Sequence, residues 1–200
     1  MLIIRQAGTP GTRRACFPAP EDADPSGLAQ AAALRRTDLA RTDLARTDLA
    51  LPDDAVVFAA PWPAAVATAR AASGREPVVA GALAEADYGT WAGRPFAEIA
   101  ETEPEGLGAW LTDPDAAPHG GESLSELGAR VAAWLESVHA DAARVVAVCD
   151  AGPVRAALAH ALGLPATRAA LFDIAPLSRT ELAARHGGWR IAYVNRKAAL

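Results

Sequence analysis

Arg5 and Gln6 stand where a short apolar run, Leu2-Ile3-Ile4, breaks into the polar turn Arg5-Gln6-Ala7-Gly8-Thr9. An apolar run stopped by Gly and Pro reads as a buried strand that delivers its last residues to a loop. Open α/β sheets hold ligands outside the carboxyl ends of their strands, so the Arg5 fork could clamp an anion there, with the Thr9 hydroxyl beside it. The alternative for Arg5 is an ordinary charged turn. A second junction of the same kind is Val145-Val146-Ala147-Val148 followed by Cys149-Asp150-Ala151-Gly152. Asp150 follows that strand into the turn as a candidate carboxylate, whereas Glu85, read from its own residues, is a lone loop carboxylate of the kind that is usually just solvated. Cys149 is not an activated thiol on this reading, because a neighbouring carboxylate raises a thiol pKa. A buried structural cysteine is the better expectation. His119, in the turn His119-Gly120-Gly121-Glu122-Ser123, is a candidate base, against the commoner solvated loop imidazole.

The elements that must position these groups follow from the apolar pattern. Strands are expected at Leu2–Ile4, Val56–Phe58, Val78–Val79 and Val145–Val148, with a closing pair near Arg179–Ala184 and Trp189–Val194 joined by His186-Gly187-Gly188, a hairpin signature. Between them lie helices: one capped by Ser26, one from about Ala64 to Ala72, short pieces between Pro95 and Pro118, and one from Pro153 to a Gly163 stop. The firmest helix runs from Ser123 to about Ala140. Ser123 with Glu126 makes a capping box, and Leu124, Leu127, Val131, Trp134, Leu135 and Val138 form one stripe. Its N-terminal amides would favour an anion near Glu122 and Ser123. Trp110 and Leu111 serve equally as an apolar wall or as core. Alternating strands and helices with a terminal hairpin predict a three-layer α/β/α sandwich around a mostly parallel sheet.

Two hundred residues, 51% of them hydrophobic, suit a single domain with a sizeable core. The net charge of −5 gives no footprint for nucleic acid or an anionic membrane. Neither Cys16 nor Cys149 belongs to a CxxC or a Cys/His cluster, so no metal, cofactor or disulfide framework is expected. The N-terminal apolar run is too short for a signal segment, which leaves the cytoplasm as the expected compartment and excludes a membrane partner. Arg36-Thr-Asp-Leu-Ala recurs at Arg41 and Arg46. Five residues advance a helix by about 140°, so Leu39, Leu44 and Leu49 cannot share a face. The 36–50 stretch therefore reads as a solvated insert in a domain spanning residues 1–200.

Five segments together resemble the histidine phosphatase superfamily, the phosphoglycerate mutase-like proteins. Arg5-Gln6-Ala7-Gly8 is similar to that family's opening Arg-His-Gly motif, Ala59-Ala60-Pro61 to its Ser-Ser-Pro signature, and Leu83-Ala-Glu85-Ala-Asp87-Tyr88-Gly89-Thr-Trp91-Ala-Gly93 to its Leu-x-Glu-x-Asp-Phe-Gly-x-Trp-x-Gly segment. Gly120-Gly121-Glu122-Ser123 resembles its Gly-Gly-Glu-Ser turn, and Cys149-Asp150-Ala151-Gly152 its Ser-His-Gly-Gly-like turn. The resemblance implies that Gln6 stands at the phospho-acceptor His, Asp150 at the second His, Ala64 at a phosphate-gripping Arg, and Glu85 at the acid that protonates the leaving oxygen. Asp87, Tyr88 and Trp91 then shape the loop or line the pocket.

A carboxamide cannot attack phosphorus, a methyl group cannot pair with phosphate, and a carboxylate repels it. The expected function is therefore a pseudoenzyme or repurposed site binding a small metabolite. A biosynthetic enzyme using Glu85 and Asp150, and residual phosphatase activity on a small ester of the α-ribazole phosphate type, are the alternatives. A homodimer is a candidate assembly, and the repeat at 36–50 could also serve as a partner-binding arm.

Overall fold

The computed structural model describes residues 1–40, 51, 54–140, 144–186 and 188–197. The second and third RTDLA copies lie outside the described residues; the first continues a helix. Strand β1 (Leu2–Arg5) leads into a one-turn helix α1 (Pro10–Arg13), where a plain loop was expected. Then come α2 (Pro25–Ala40), β2 (Val56–Ala59), α3 (Pro63–Ser73), β3 (Val78–Val79), α4 (Phe96–Thr102) and α5 (Pro104–Thr112). The chain closes with α6 (Leu124–Ala140), β4 (Val145–Cys149), α7 (Ala151–Leu162), α8 (Ala166–Ala169), β5 (Arg179–Arg185) and β6 (Gly188–Arg196).

The strands form one sheet in the order β3-β2-β4-β1-β5-β6, parallel from β3 to β1 and antiparallel across β5 and β6. Helices cover both faces: α2 packs with α3, and α6 with α7. This is the α/β/α sandwich expected from the alternation. Strand β4 is buried at every position, as a central parallel strand must be. The interior beneath α3 and α7 is built largely from alanines (Ala59, Ala65, Ala69, Ala147, Ala157), whose small side chains let helix and sheet approach closely.

Two helix starts differ from expectation for a local reason. Helix α2 begins at Pro25, the natural first position for a residue without an N–H, and Leu28 N donates to Asp24 O; Ser26 falls inside its first turn. Helix α7 begins at Ala151 because Asp150 caps it. The capping box at α6 is formed: Ser123 N donates to Glu126 Oε2 at 2.8 Å, and Glu126 N to Ser123 Oγ at 3.2 Å. Among the described residues, no helix is long and apolar enough to cross a membrane.

Candidate functional site

The register of two parallel strands builds the site. Arg5 of β1 lies opposite Cys149 of β4, so Gln6 and Asp150 leave the sheet side by side, tied by Gln6 N donating to Cys149 O at 2.7 Å. Asp150 then takes a hydrogen bond from everything near it. Oδ1 accepts from Arg5 Nε at 2.9 Å and from Ala151 N at 2.7 Å, and Oδ2 accepts from Gln6 Nε2 at 2.9 Å. Because a carboxylate only accepts, this fixes the Gln6 amide, whose Oε1 is buried and has no partner among the described residues. Arg5 also donates through Nη1 to Ile174 O at 2.5 Å. Its charge is thus matched inside the protein by Asp150.

Above this network lies a polar cavity of about 250 Å³ whose wall includes Arg5, Thr9, Thr12, Cys16, Glu21 and Asp150. Thr9 is already occupied: its hydroxyl accepts from Thr12 N and caps α1. Glu21 accepts from Gly11 N at 2.8 Å. Glu21 stands in a Pro/Asp/Glu-rich connection whose composition reads as exposed loop and gives no sign of a site.

Glu85 is the second carboxylate of the site, and it is 4% exposed. Its Oε1 accepts from Ala86 N at 2.9 Å and its Oε2 from Gly152 N at 2.7 Å. Burial is the main cause that lifts its pKa from 4.5 to about 7, the nearby charge of Asp150 adds to the lift, and Arg155 partly offsets it. Glu85 also borders a second cavity of about 270 Å³, and Pro18 lines both. Gly152, absent from the sequence candidates, is what lets Glu85 in: a Cβ there would lie 1.8 Å from Glu85 Oε1. Arg130 holds the same loop from α6. Its Nη1 donates to Ala82 O at 2.8 Å, its Nη2 to Glu85 O at 3.3 Å, and its fork grips Glu122 through two bonds of 2.7 Å.

Five sequence candidates are taken up by the protein's own hydrogen bonds or packing. Glu122 is consumed by Arg130. Trp91 is fully buried and donates to Glu103 Oε2 at 2.7 Å, so it shapes the loop and does not line a pocket. His119 is 1% exposed, packed on Trp91 and Tyr88 with ring centroids 5.1 and 5.6 Å away, which corrects the solvated imidazole. Its Nδ1 accepts from Gly121 N at 3.1 Å, and burial lowers its pKa, so the ring is held neutral. The turn buries it because Gly121 lies against Asp87 O, where a Cβ would come within 2.0 Å. Cys149 is fully buried, and burial pushes its thiol pKa up, with Glu85 and Asp150 adding to the effect. Ala64 is 1% exposed in a cluster with Ala7 and Ala23, so that position is closed by packing as well as lacking a charge. Arg5, Gln6, Thr9 and Asp150 are brought together, with Glu85 beside them. Among the described residues, no group of three His, Cys, Asp or Glu side chains is placed to hold a metal.

The histidine phosphatase superfamily (branch 1) pattern matches residues 20–197, most of the chain, with Arg5 and Gln6 lying before the matched span. A bifunctional protein of Mycobacterium tuberculosis is 34% identical over 139 residues, which are 66% of this chain and 37% of that protein. The chain thus spans little more than a third of the curated relatives it matches. A mycobacterial glucosyl-3-phosphoglycerate phosphatase superposes with a TM-score of 0.80 at 24% identity, over 98% of each chain. A mutant phosphoserine phosphatase from Entamoeba histolytica, solved with phosphoserine, gives a TM-score of 0.80 at 18% identity, over 97% of this chain and 95% of that one.

Proposed function

The chain belongs to the histidine phosphatase superfamily, and from that premise we propose that it binds a small metabolite at a site that does not transfer phosphate through a histidine. The observation that carries this reading is the position of Asp150. An anion entering between β1 and α7 would need the Arg5 guanidinium, the Gln6 amide and the first amide of α7 as donors. All three already point at the Asp150 carboxylate. Asp150 acts as an internal anion, and a phosphate brought to about 4 Å from it meets a repulsion of about 4 kcal/mol per pair of unit charges at an effective dielectric of 20. Gln6 has no basic nitrogen with which to replace the attack of a histidine.

With Arg5 matched by Asp150 and with Glu21 on the wall, the cavity suits a neutral, cationic or zwitterionic ligand better than a phosphate ester. Catalysis of another kind has one observation in its favour: Glu85 is buried near a second carboxylate, Asp150, and burial and that charge together push its pKa up to about 7, an arrangement suited to proton transfer. The test is hydrolysis of p-nitrophenyl phosphate by the purified protein and by Glu85→Ala. Loss of a covalent nucleophile costs on the order of 10⁴ to 10⁶ in rate, so the two proteins should be equally inert. Steady turnover that disappears in Glu85→Ala would overturn the reading in favour of a working phosphatase.

A further inference from the structure

Gly152 also borders a small pocket of about 70 Å³, lined by residues of α5, α6, α7 and α8 and by Tyr88. Most of its wall is apolar and short: Leu124 and Leu127 of α6, and alanines of α7 and α8. Gly128 also lines it, and a Cβ built there meets nothing within 4 Å, so the space beside α6 is open. Three polar groups border this apolar floor, and each has a hydrogen to donate. Arg155 uses Nε on Phe172 O at 3.0 Å, and neither of its Nη atoms has a hydrogen-bond partner among the described residues. Trp110 Nε1 is buried without an acceptor. The Tyr88 hydroxyl bonds to no described residue, and burial raises its pKa well above that of a free phenol, so it stays protonated.

A buried indole N–H without an acceptor, beside a half-buried cation whose terminal nitrogens are open to solvent, favours an anion. Glu85 is near enough for Arg155 to lower its pKa, but its two oxygens accept from the Ala86 and Gly152 amides and no hydrogen bond joins it to Arg155. We propose that this cavity is a second ligand site, taking the carboxylate of a short aliphatic acid with its head on Arg155 and its chain among the small residues of α6, α7 and α8. The size sets the chain. A dry cavity that holds benzene measures about 150 Å³, about twice this one, so the pocket takes a chain of about four carbons more closely than an aromatic ring. This inference uses none of the Asp150 argument and stands whether or not the main site is a phosphatase.

The test is titration of the folded protein with butyrate, followed in alanine-methyl NMR spectra, with butan-1-ol, butylammonium and benzoate as comparisons. Butyrate should saturate, shift the methyls of Ala156, Ala159, Ala166 and Ala169, and bind about tenfold more tightly than butan-1-ol, the margin expected of a charge-assisted head group. Arg155→Met should bring butyrate down to the level of the alcohol. Trp110→Phe should weaken it severalfold. Gly128→Leu, which fills the open space from α6 without touching Arg155, should abolish binding while the circular dichroism spectrum stays native. No saturation at tens of millimolar butyrate, equal affinity for acid and alcohol, or undiminished binding in Gly128→Leu would each overturn the proposal. Benzoate binding as tightly as butyrate would overturn the size argument.

Discussion

Replacing Asp150 with alanine should convert a phosphate-indifferent protein into a weaker fold that phosphate rescues. In the parent the Asp150 and Arg5 side chains are 8% and 18% exposed. Removing one partner of a buried, hydrogen-bonded pair costs about 3–5 kcal/mol. Arg5 keeps Ile174 O and faces a wet cavity, which reduces the loss to about 2–4 kcal/mol, with the lost cap of α7 included. For a chain of this length that lowers Tm by roughly 5–15 °C. The same substitution frees Arg5 Nε, Gln6 Nε2 and Ala151 N for an external anion. Phosphate at about 100 times its Kd would return about 2.7 kcal/mol, most of the deficit. The assay is thermal unfolding of both proteins in sodium phosphate and in sodium chloride at matched ionic strength. The parent Tm should differ between the two salts only by the small general effect of phosphate, and the variant Tm should rise by several degrees more than that. A parent stabilised as much as the variant would refute the internal-anion argument, and so would a folded variant indifferent to phosphate.

Glu85 makes stability fall as pH rises. Its pKa goes up on folding, from 4.5 to about 7, so between those values the folded state holds a proton that the unfolded state has released. The contribution is therefore full below pH 4.5 and lost by pH 7, a change of a few kcal/mol at about 1.4 kcal/mol per unit. Glu85→Gln should flatten denaturant-unfolding free energies across that window. Gly152→Ala should expel the carboxyl and return its titration, followed by carboxyl NMR, toward 4.5; an unchanged titration would show that Gly152 does not control access. For the thiols, alkylation of the native protein should modify Cys16 alone and reach Cys149 only after denaturation, as peptide mass mapping would show. Native labelling of Cys149 would contradict its burial.

The local chemistry of the chain determines a good deal of this protein. Apolar runs at Leu2–Ile4 and Val145–Val148, stopped by turn residues, read as buried strands and form them, whereas the similar run Val56–Phe58 forms a strand whose first residue, Val56, is exposed instead of buried. Ser123 with Glu126 identifies the start of α6, since a capping box is completed within four residues. Arg5 and Asp150 are visible as candidates because each follows such a strand. What they do to each other is not visible. Their salt bridge joins residues 145 apart, and it exists because β1 aligns with β4 so that Arg5 faces Cys149; a shift of one residue would point the side chains to opposite faces. The same dependence on packing hides His119, which reads as a loop residue until the Gly120-Gly121 turn lies down on Asp87 and presses the ring against Trp91 and Tyr88. It hides the sealing of Ala64 by Ala7 and Ala23, and the role of Gly152, whose missing side chain matters only because Glu85 arrives from 67 residues away. Glu85 is legible as a carboxylate in a familiar segment, yet its titration near 7 is a property of the burial and the neighbouring charge that the folded chain places around it.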